Sequence, residues 1–193
     1  MYTVSLQTRK EFPLVYTISG PSGVGKSTIL RMLKETLPVR IPVSATDRMP
    51  RLGEVEGISY YYVTPEEFDR LIASNAFVEF TELEHRYGVL RSEIDNISDD
   101  IILDLDINGA MKIREYYPDA ILIFIAPPSM GELERRLRAR NDGMDESELN
   151  RRIMRAEREL SYAECYDFVI TNYSVQQVFE EVLNIIRKFC ENK

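Results

Sequence analysis

Gly20-Pro21-Ser22-Gly23-Val24-Gly25-Lys26-Ser27-Thr28 has the spacing of a phosphate grip: a glycine, four free positions, then Gly-Lys-Ser. Glycines let successive backbone N–H groups turn inward, and a helix starting there aims its positive end at the same anion. The lysine of such a loop reaches the β- and γ-phosphates of a nucleotide, and the hydroxyl after it sits where Mg²⁺ is held. Lys26 is therefore a candidate for neutralising charge in phosphoryl transfer. Ser27 is a candidate metal ligand. The loop specifies a nucleotide and leaves the reaction open.

Other residues narrow the chemistry. Asp104 and Asp106 close the apolar run Ile101-Ile102-Leu103 and can supply the acidic group near a metal, with Asp104 taken as the metal-side acid. The competing reading is a pair of ordinary strand-end aspartates. Arg48 and Arg51, three apart in a turn-rich stretch, can converge on one phosphate through charge-assisted bonds. The hydroxyls of Tyr60 and Tyr87 can complete that cradle. Glu79 stands between Val78 and Phe80, a carboxylate inside an apolar strand. Arg136 and Arg140 share a helix face opposite Leu133 and Leu137, and Arg152 follows on the next helix. Glu132 and Glu148 precede Arg136 and Arg152 at the i,i+4 spacing of solvated ion pairs, which competes with a catalytic role. Arg135, Arg138, Arg151, Arg155 and Arg158 read as surface charge. His85, the single histidine, reads as a surface turn residue.

Elements must place these groups. Leu14 to Ile18, Ile101 to Leu105, Ala120 to Ala126 and Phe168 to Ile170 are apolar runs, each followed by a segment of helical periodicity. That alternation predicts a parallel sheet covered by helices on both faces, a three-layer α/β core. At the carboxyl edge of such a sheet ligands collect, which is where Asp104 and Asp106 fall. Residues 40–90 break the rhythm with short alternating segments, turn glycines and one helix over 65–73, and predict a small, mostly antiparallel insertion. Residues 129–164 are helical and arginine-rich, interrupted by Asn141-Asp142-Gly143. The expected division is a core of 14–39 and 91–193, an inserted module of 40–90 and a lid at about 130–160.

Composition sets limits. A formal net charge of −8 over 193 residues argues against a general polyanion binder such as a nucleic-acid protein. Two cysteines, Cys165 and Cys190, without CxxC spacing point to a reduced cytoplasmic protein without structural disulfides. No apolar run is long enough to span a bilayer.

Taken together, the motifs Gly-Pro-Ser-Gly-Val-Gly-Lys-Ser-Thr (20–28), Thr46-Asp47-Arg48-Met49-Pro50-Arg51 with Gly53-Glu54-Val55 and Tyr60-Tyr61-Tyr62-Val63, Leu103-Asp104-Leu105-Asp106, Phe124 to Ser129 and the arginine helices resemble guanylate kinase over about residues 15–172. The resemblance implies a P-loop kinase fold with ATP as donor, Mg²⁺ as cofactor and GMP as acceptor. It implies that Arg48, Arg51, Tyr60 and Tyr87 hold the GMP phosphate, and that Ser44, Glu79 and Asp106 belong to the GMP site. Guanine offers two adjacent donors, N1–H and N2–H₂, which a carboxylate accepts, whereas the bare N1 of adenine repels it. Arg136, Arg140 and Arg152 match the lid and post-lid arginines. Two departures stand out: Val89 occupies a position usually Ser or Thr, and Asn141-Asp142-Gly143 alters the lid tip. Alternative readings are a kinase of this architecture with another phosphorylated acceptor, or a non-catalytic binding module.

Overall fold

A computed structural model describes residues 13–51, 53–82, 85–95, 98–139 and 145–191. Two four-stranded sheets carry the helices. The first contains β1 (Val15–Ser19), β6 (Ile101–Asp104), β7 (Ile121–Ala126) and β8 (Phe168–Thr171), all parallel, in the order β6-β1-β7-β8. Arg40 extends it with a single parallel bridge to Ile101. The second contains β2 (Ser44–Thr46), β3 (Tyr61–Tyr62), β4 (Phe77–Glu82) and β5 (Arg86–Leu90), in the order β3-β2-β5-β4. Its β2–β3 pair is parallel and the other two pairs are antiparallel.

Near-continuous burial along β1 and β7 reflects a sheet covered on both faces. Tyr16, Ile18, Ile102, Ile121, Ile123 and Ile125 pack with α1 (Lys26–Thr36) and α6 (Val175–Glu191) on one face. Val15, Ile101, Leu103, Leu122 and Phe124 face the other way, with α3 (Ile107–Tyr116) and with Val78 and Val89 of the second sheet. That second contact seats one sheet against the other. The outer face of the small sheet builds a core of Ala45, Phe68 and Phe77 beneath α2 (Pro65–Ala73). Leu133, Leu137, Leu149 and Ala156 join α4 (Met130–Ala139) to α5 (Glu146–Leu160) in a fourth cluster.

Local chemistry sets the helix ends. Leu37 is extended before Pro38, whose ring disfavours helical backbone in the residue preceding it, and α1 stops at Thr36. Thr64 and Glu67 form a reciprocal capping box on α2, with Pro65 in the first turn. Asp106 caps α3 by accepting from the Gly109 N–H, and Asp145 caps α5 by accepting from the Glu148 N–H. Element by element, the expected runs appear within a residue or two. The small sheet is mostly antiparallel, as expected, with β3 running parallel to β2 at its edge.

Candidate active site

Buried β1 ends at Ser19, and the chain then turns through Gly20, Gly23 and Gly25 at φ 145, 85 and 106°. A Cβ on Gly20 would lie 2.2 Å from the Ile125 carbonyl oxygen, so glycine is obligatory there on space as well as dihedral. Asn172 donates to the Val24 carbonyl at 2.6 Å and braces the loop from behind. Leu133 and Leu137 of α4 close on Gly23. Lys26 Nζ donates to the Gly20 carbonyl at 2.6 Å. Helix α1 has neither a side-chain cap nor an acidic residue in its first turn, a combination that suits an anion at its N-terminus. Ser27 and Thr28 stand exposed in that turn.

Asp104 ends β6 beside β1, in register with Ile18. Burial pushes its carboxyl pKa up, and the Lys26 ammonium opposes that rise. Among the described residues no cluster of three or more metal-ligating His, Cys, Asp or Glu side chains occurs. A site drawing on the Ser27 hydroxyl and the Asp104 carboxylate fits magnesium, which keeps several waters and takes one or two carboxylates plus nucleotide phosphates.

Across the small sheet the register lines up Ser44, Val89 and Glu79 in one row and, two rows on, Thr46, Tyr87 and Thr81. Directly opposed residues share a face, so Ser44 and Glu79 point the same way with Val89 between them. Glu79 is 5% exposed, and its Oε2 makes no hydrogen bond. Burial, reinforced by the charge of Asp106 and opposed by Lys112, raises its pKa from 4.5 to about 7. Lys112 donates its ammonium to the Phe80 carbonyl at 2.7 Å. Gly109 packs directly against this carboxylate, where a Cβ would sit 2.9 Å from Glu79 Oε2. Thr81 donates to Asp106 Oδ1 at 3.2 Å, joining the sheet to α3.

Arg48 is 6% exposed. Its Nε donates to the Tyr87 hydroxyl at 3.1 Å, and its Cζ lies 5.3 Å from the Tyr60 ring centroid. Three of the four expected cradle residues are thus together. Glu54, which the sequence reading passed over, accepts both ends of the Arg48 fork at 2.9 and 3.0 Å. It also accepts the Arg51 backbone N–H at 2.7 Å and the Tyr62 hydroxyl at 2.8 Å, tying Arg51 into the same knot. Burial works against the ionised form, yet these donors win and hold the Glu54 pKa down to about 2. An acid three residues after Arg51, amid cationic candidates, was the available signal.

The arginine helices divide. Arg136 donates to Glu132 at 2.8 Å, as its spacing predicts, and also to the Asn172 carbonyl at 3.1 Å, which brings it to the residue bracing the phosphate loop. Arg152 is half-buried and pairs with Glu148. Arg138 crosses from α4 to Glu146 of α5. Arg155 is not simply surface charge: its guanidinium lies 3.7 Å from Asp106 Oδ2. His85 is exposed between β4 and β5. Arg140 and the tip at 141–143 lie outside the described residues.

A family model described as guanylate kinase matches residues 13–189. A guanylate kinase of Fusobacterium nucleatum is 37% identical over 176 residues, which cover 89% of this chain and 95% of the relative. One from Thermobifida fusca is 42% identical over 174 residues, covering 88% of each chain. Among solved structures, guanylate kinase from Anaplasma phagocytophilum superposes with a TM-score of 0.75 at 33% identity, covering 93% of this chain and 87% of that one. A phosphate loop braced by Asn172 just after β8 and a buried carboxylate oxygen of Glu79 without a donor agree with these matches: the chain belongs to the guanylate kinase family.

Proposed function

We propose that the protein transfers the γ-phosphate of ATP to GMP, giving ADP and GDP, with the acceptor base read by Glu79 and Ser44. The observation that carries the base assignment is Glu79 Oε2, buried and without a donor, in one row with Ser44. A buried acceptor of this kind calls for a partner, and guanine brings two adjacent donors to it. Asp106, held beside Glu79 by Thr81, adds a further acceptor. Arg48, Arg51, Tyr60 and Tyr87 hold the acceptor phosphate, with Glu54 fixing the direction of the Arg48 fork.

On the donor side, the backbone N–H groups from Ser22 to Thr28 cradle the phosphates. Lys26 moves from the Gly20 carbonyl to the transferring group. Arg136, Arg140 and Arg152 offset the charge that builds up as two anions meet. Positioning and charge neutralisation are nearly all that phosphoryl transfer asks of a protein. Magnesium, bound near Ser27 and Asp104, supplies charge neutralisation on the ATP phosphates. Closure of the 40–90 module and the lid at about 130–160 over the core of 14–39 and 91–193 excludes water, which otherwise competes for the γ-phosphate. Among the described residues no helix is long and apolar enough to cross a membrane. A cytoplasmic enzyme is the reading that suits its two free cysteines, Cys165 and Cys190.

The test is ADP release measured with GMP, AMP, dTMP, UMP and CMP in turn. Turnover with GMP well above the other four is expected. Equal turnover with all five, or none with any, refutes the assignment.

A further inference from the structure

Arg155 stands in the middle of α5 and donates its Nε to Glu159 Oε1, one turn on, at 2.8 Å. This bond fixes the direction of the guanidinium, whose other end lies 3.7 Å from Asp106 Oδ2. The two oxygens of Asp106 have different work. Oδ1 accepts the Gly109 N–H at 2.9 Å and the Thr81 hydroxyl at 3.2 Å. Oδ2 is the oxygen on the Arg155 side. Asp106 also lies close enough to Glu79 for its charge to bear on that carboxyl. Two carboxylates held side by side repel, and a cation beside one of them offsets the repulsion. Arg155 is the cation that the structure pairs with Asp106, while Lys112, on the same side, is engaged by the Phe80 carbonyl.

Guanine carries two hydrogens on its 2-amino group. Glu79 accepts from N1–H and one of them, which leaves the other. We infer that Arg155 is a positioning residue for base selectivity, holding the Asp106 carboxylate where it accepts the second 2-amino hydrogen of GMP. This rests on the guanylate reading of the site. Arg155 does not touch the substrate; it acts through Asp106, from a helix that also carries Arg152.

Inosine monophosphate separates this role from a structural one, since hypoxanthine keeps N1–H and O6 but lacks the 2-amino group. Arg155→Ala is expected to raise KM for GMP about two- to fivefold, the range of a partly exposed ion pair, with kcat and the KM for inosine monophosphate unchanged. Arg155→Lys recovers part of the loss. In a protein already carrying Asp106→Asn, which keeps the α3 cap, adding Arg155→Ala is expected to change the KM for GMP no further. The inference is overturned if Arg155→Ala raises KM for both nucleotides alike, lowers kcat for both, or changes neither. Failure of the underlying reading looks different: wild-type enzyme would then show no preference for GMP over AMP.

Discussion

Glu79→Gln should make the unliganded protein more stable while disabling it. The glutamate is 5% exposed with one oxygen unpaired, and its pKa rises from 4.5 to about 7. At about 1.4 kcal/mol per pKa unit, holding it ionised in the folded state costs about 3 kcal/mol. The sign follows from the direction. A carboxyl whose folded pKa lies above its unfolded value binds its proton more tightly when folded, so stability falls as pH rises from about 4.5 to 7 and stays low above that range. Glutamine does not titrate. Wild type and Glu79→Gln should therefore melt together near pH 4.5 and separate towards pH 8. Since about 2–4 °C accompanies each kcal/mol in a chain of this size, the separation reaches about 6–12 °C in favour of the variant. Glutamine leaves its own polar atoms buried, which makes this a ceiling.

Function moves the other way. Only the ionised carboxylate accepts both guanine donors, so in wild type the apparent affinity for GMP at about pH 6 should be roughly tenfold weaker than at alkaline pH. The GMP phosphate titrates near there too, and the variant's own pH profile is the control for it. Differential scanning calorimetry across pH 5–8, with and without GMP, reads both effects. Parallel melting of the two proteins at every pH would refute the claim that Glu79 is an unpaired buried acid awaiting a ligand.

Three further outcomes are expected. Lys26→Met should lower kcat about a hundredfold or more with little change in GMP affinity, because the ammonium acts on charge that develops in transfer; a loss confined to KM, seen by steady-state kinetics, would place it outside the chemistry. Glu54→Gln should destabilise by about 2–3 kcal/mol at neutral pH by uncoupling the Arg48 fork, the Arg51 N–H and the Tyr62 hydroxyl. Its partner pattern holds the Glu54 pKa down, so wild type loses that margin only as pH falls from 4.5 towards about 2, which acid titration of the two proteins checks. Val89→Thr should lower KM for GMP by up to about tenfold through a hydroxyl placed between Ser44 and Glu79; an unchanged KM with lower stability would show the position to be packing alone.

How far the sequence reached depended on whether a feature was written in period or in register. The four strands of the large sheet and their helices are periodic, apolar and punctuated, and residues 15–19, 101–104, 121–126 and 168–171 fall where the pattern puts them. The phosphate loop is legible for the same reason: its constraint is local, a dihedral and a space at Gly20. Arg155 was illegible because an arginine four residues before Glu159 satisfies the pattern of a solvated helix, and only the approach of its guanidinium to Asp106, the cap of α3, reveals its second partner. Glu54 escaped in the same way, its meaning resting on a fork of hydrogen bonds rather than on its place in a run.

The β4 strand shows most clearly where periodicity gives out. Strict alternation through Phe77-Val78-Glu79-Phe80 would put Phe77 and Glu79 on one face. The structure instead slips register between Phe77, opposite Leu90, and Glu79, opposite Val89. That irregularity lets Phe77 turn outward to stack on Phe68 at 4.7 Å, while Val78 joins the main core and Glu79 enters the pocket. Gly88 makes it possible, since a Cβ there would strike the Phe77 ring at 2.6 Å. A bulge costs ladder hydrogen bonds and tends to sit where a side chain must be re-aimed. Here the side chain re-aimed is the buried acid that the proposed chemistry needs. Gly88→Ala should accordingly do more than loosen the sheet. Pushing Phe77 back towards the alternating register turns Glu79 out of its row, and the KM for GMP should rise about tenfold or more with kcat nearly kept. A variant that loses stability yet keeps its GMP affinity would break the link between the bulge and the base pocket.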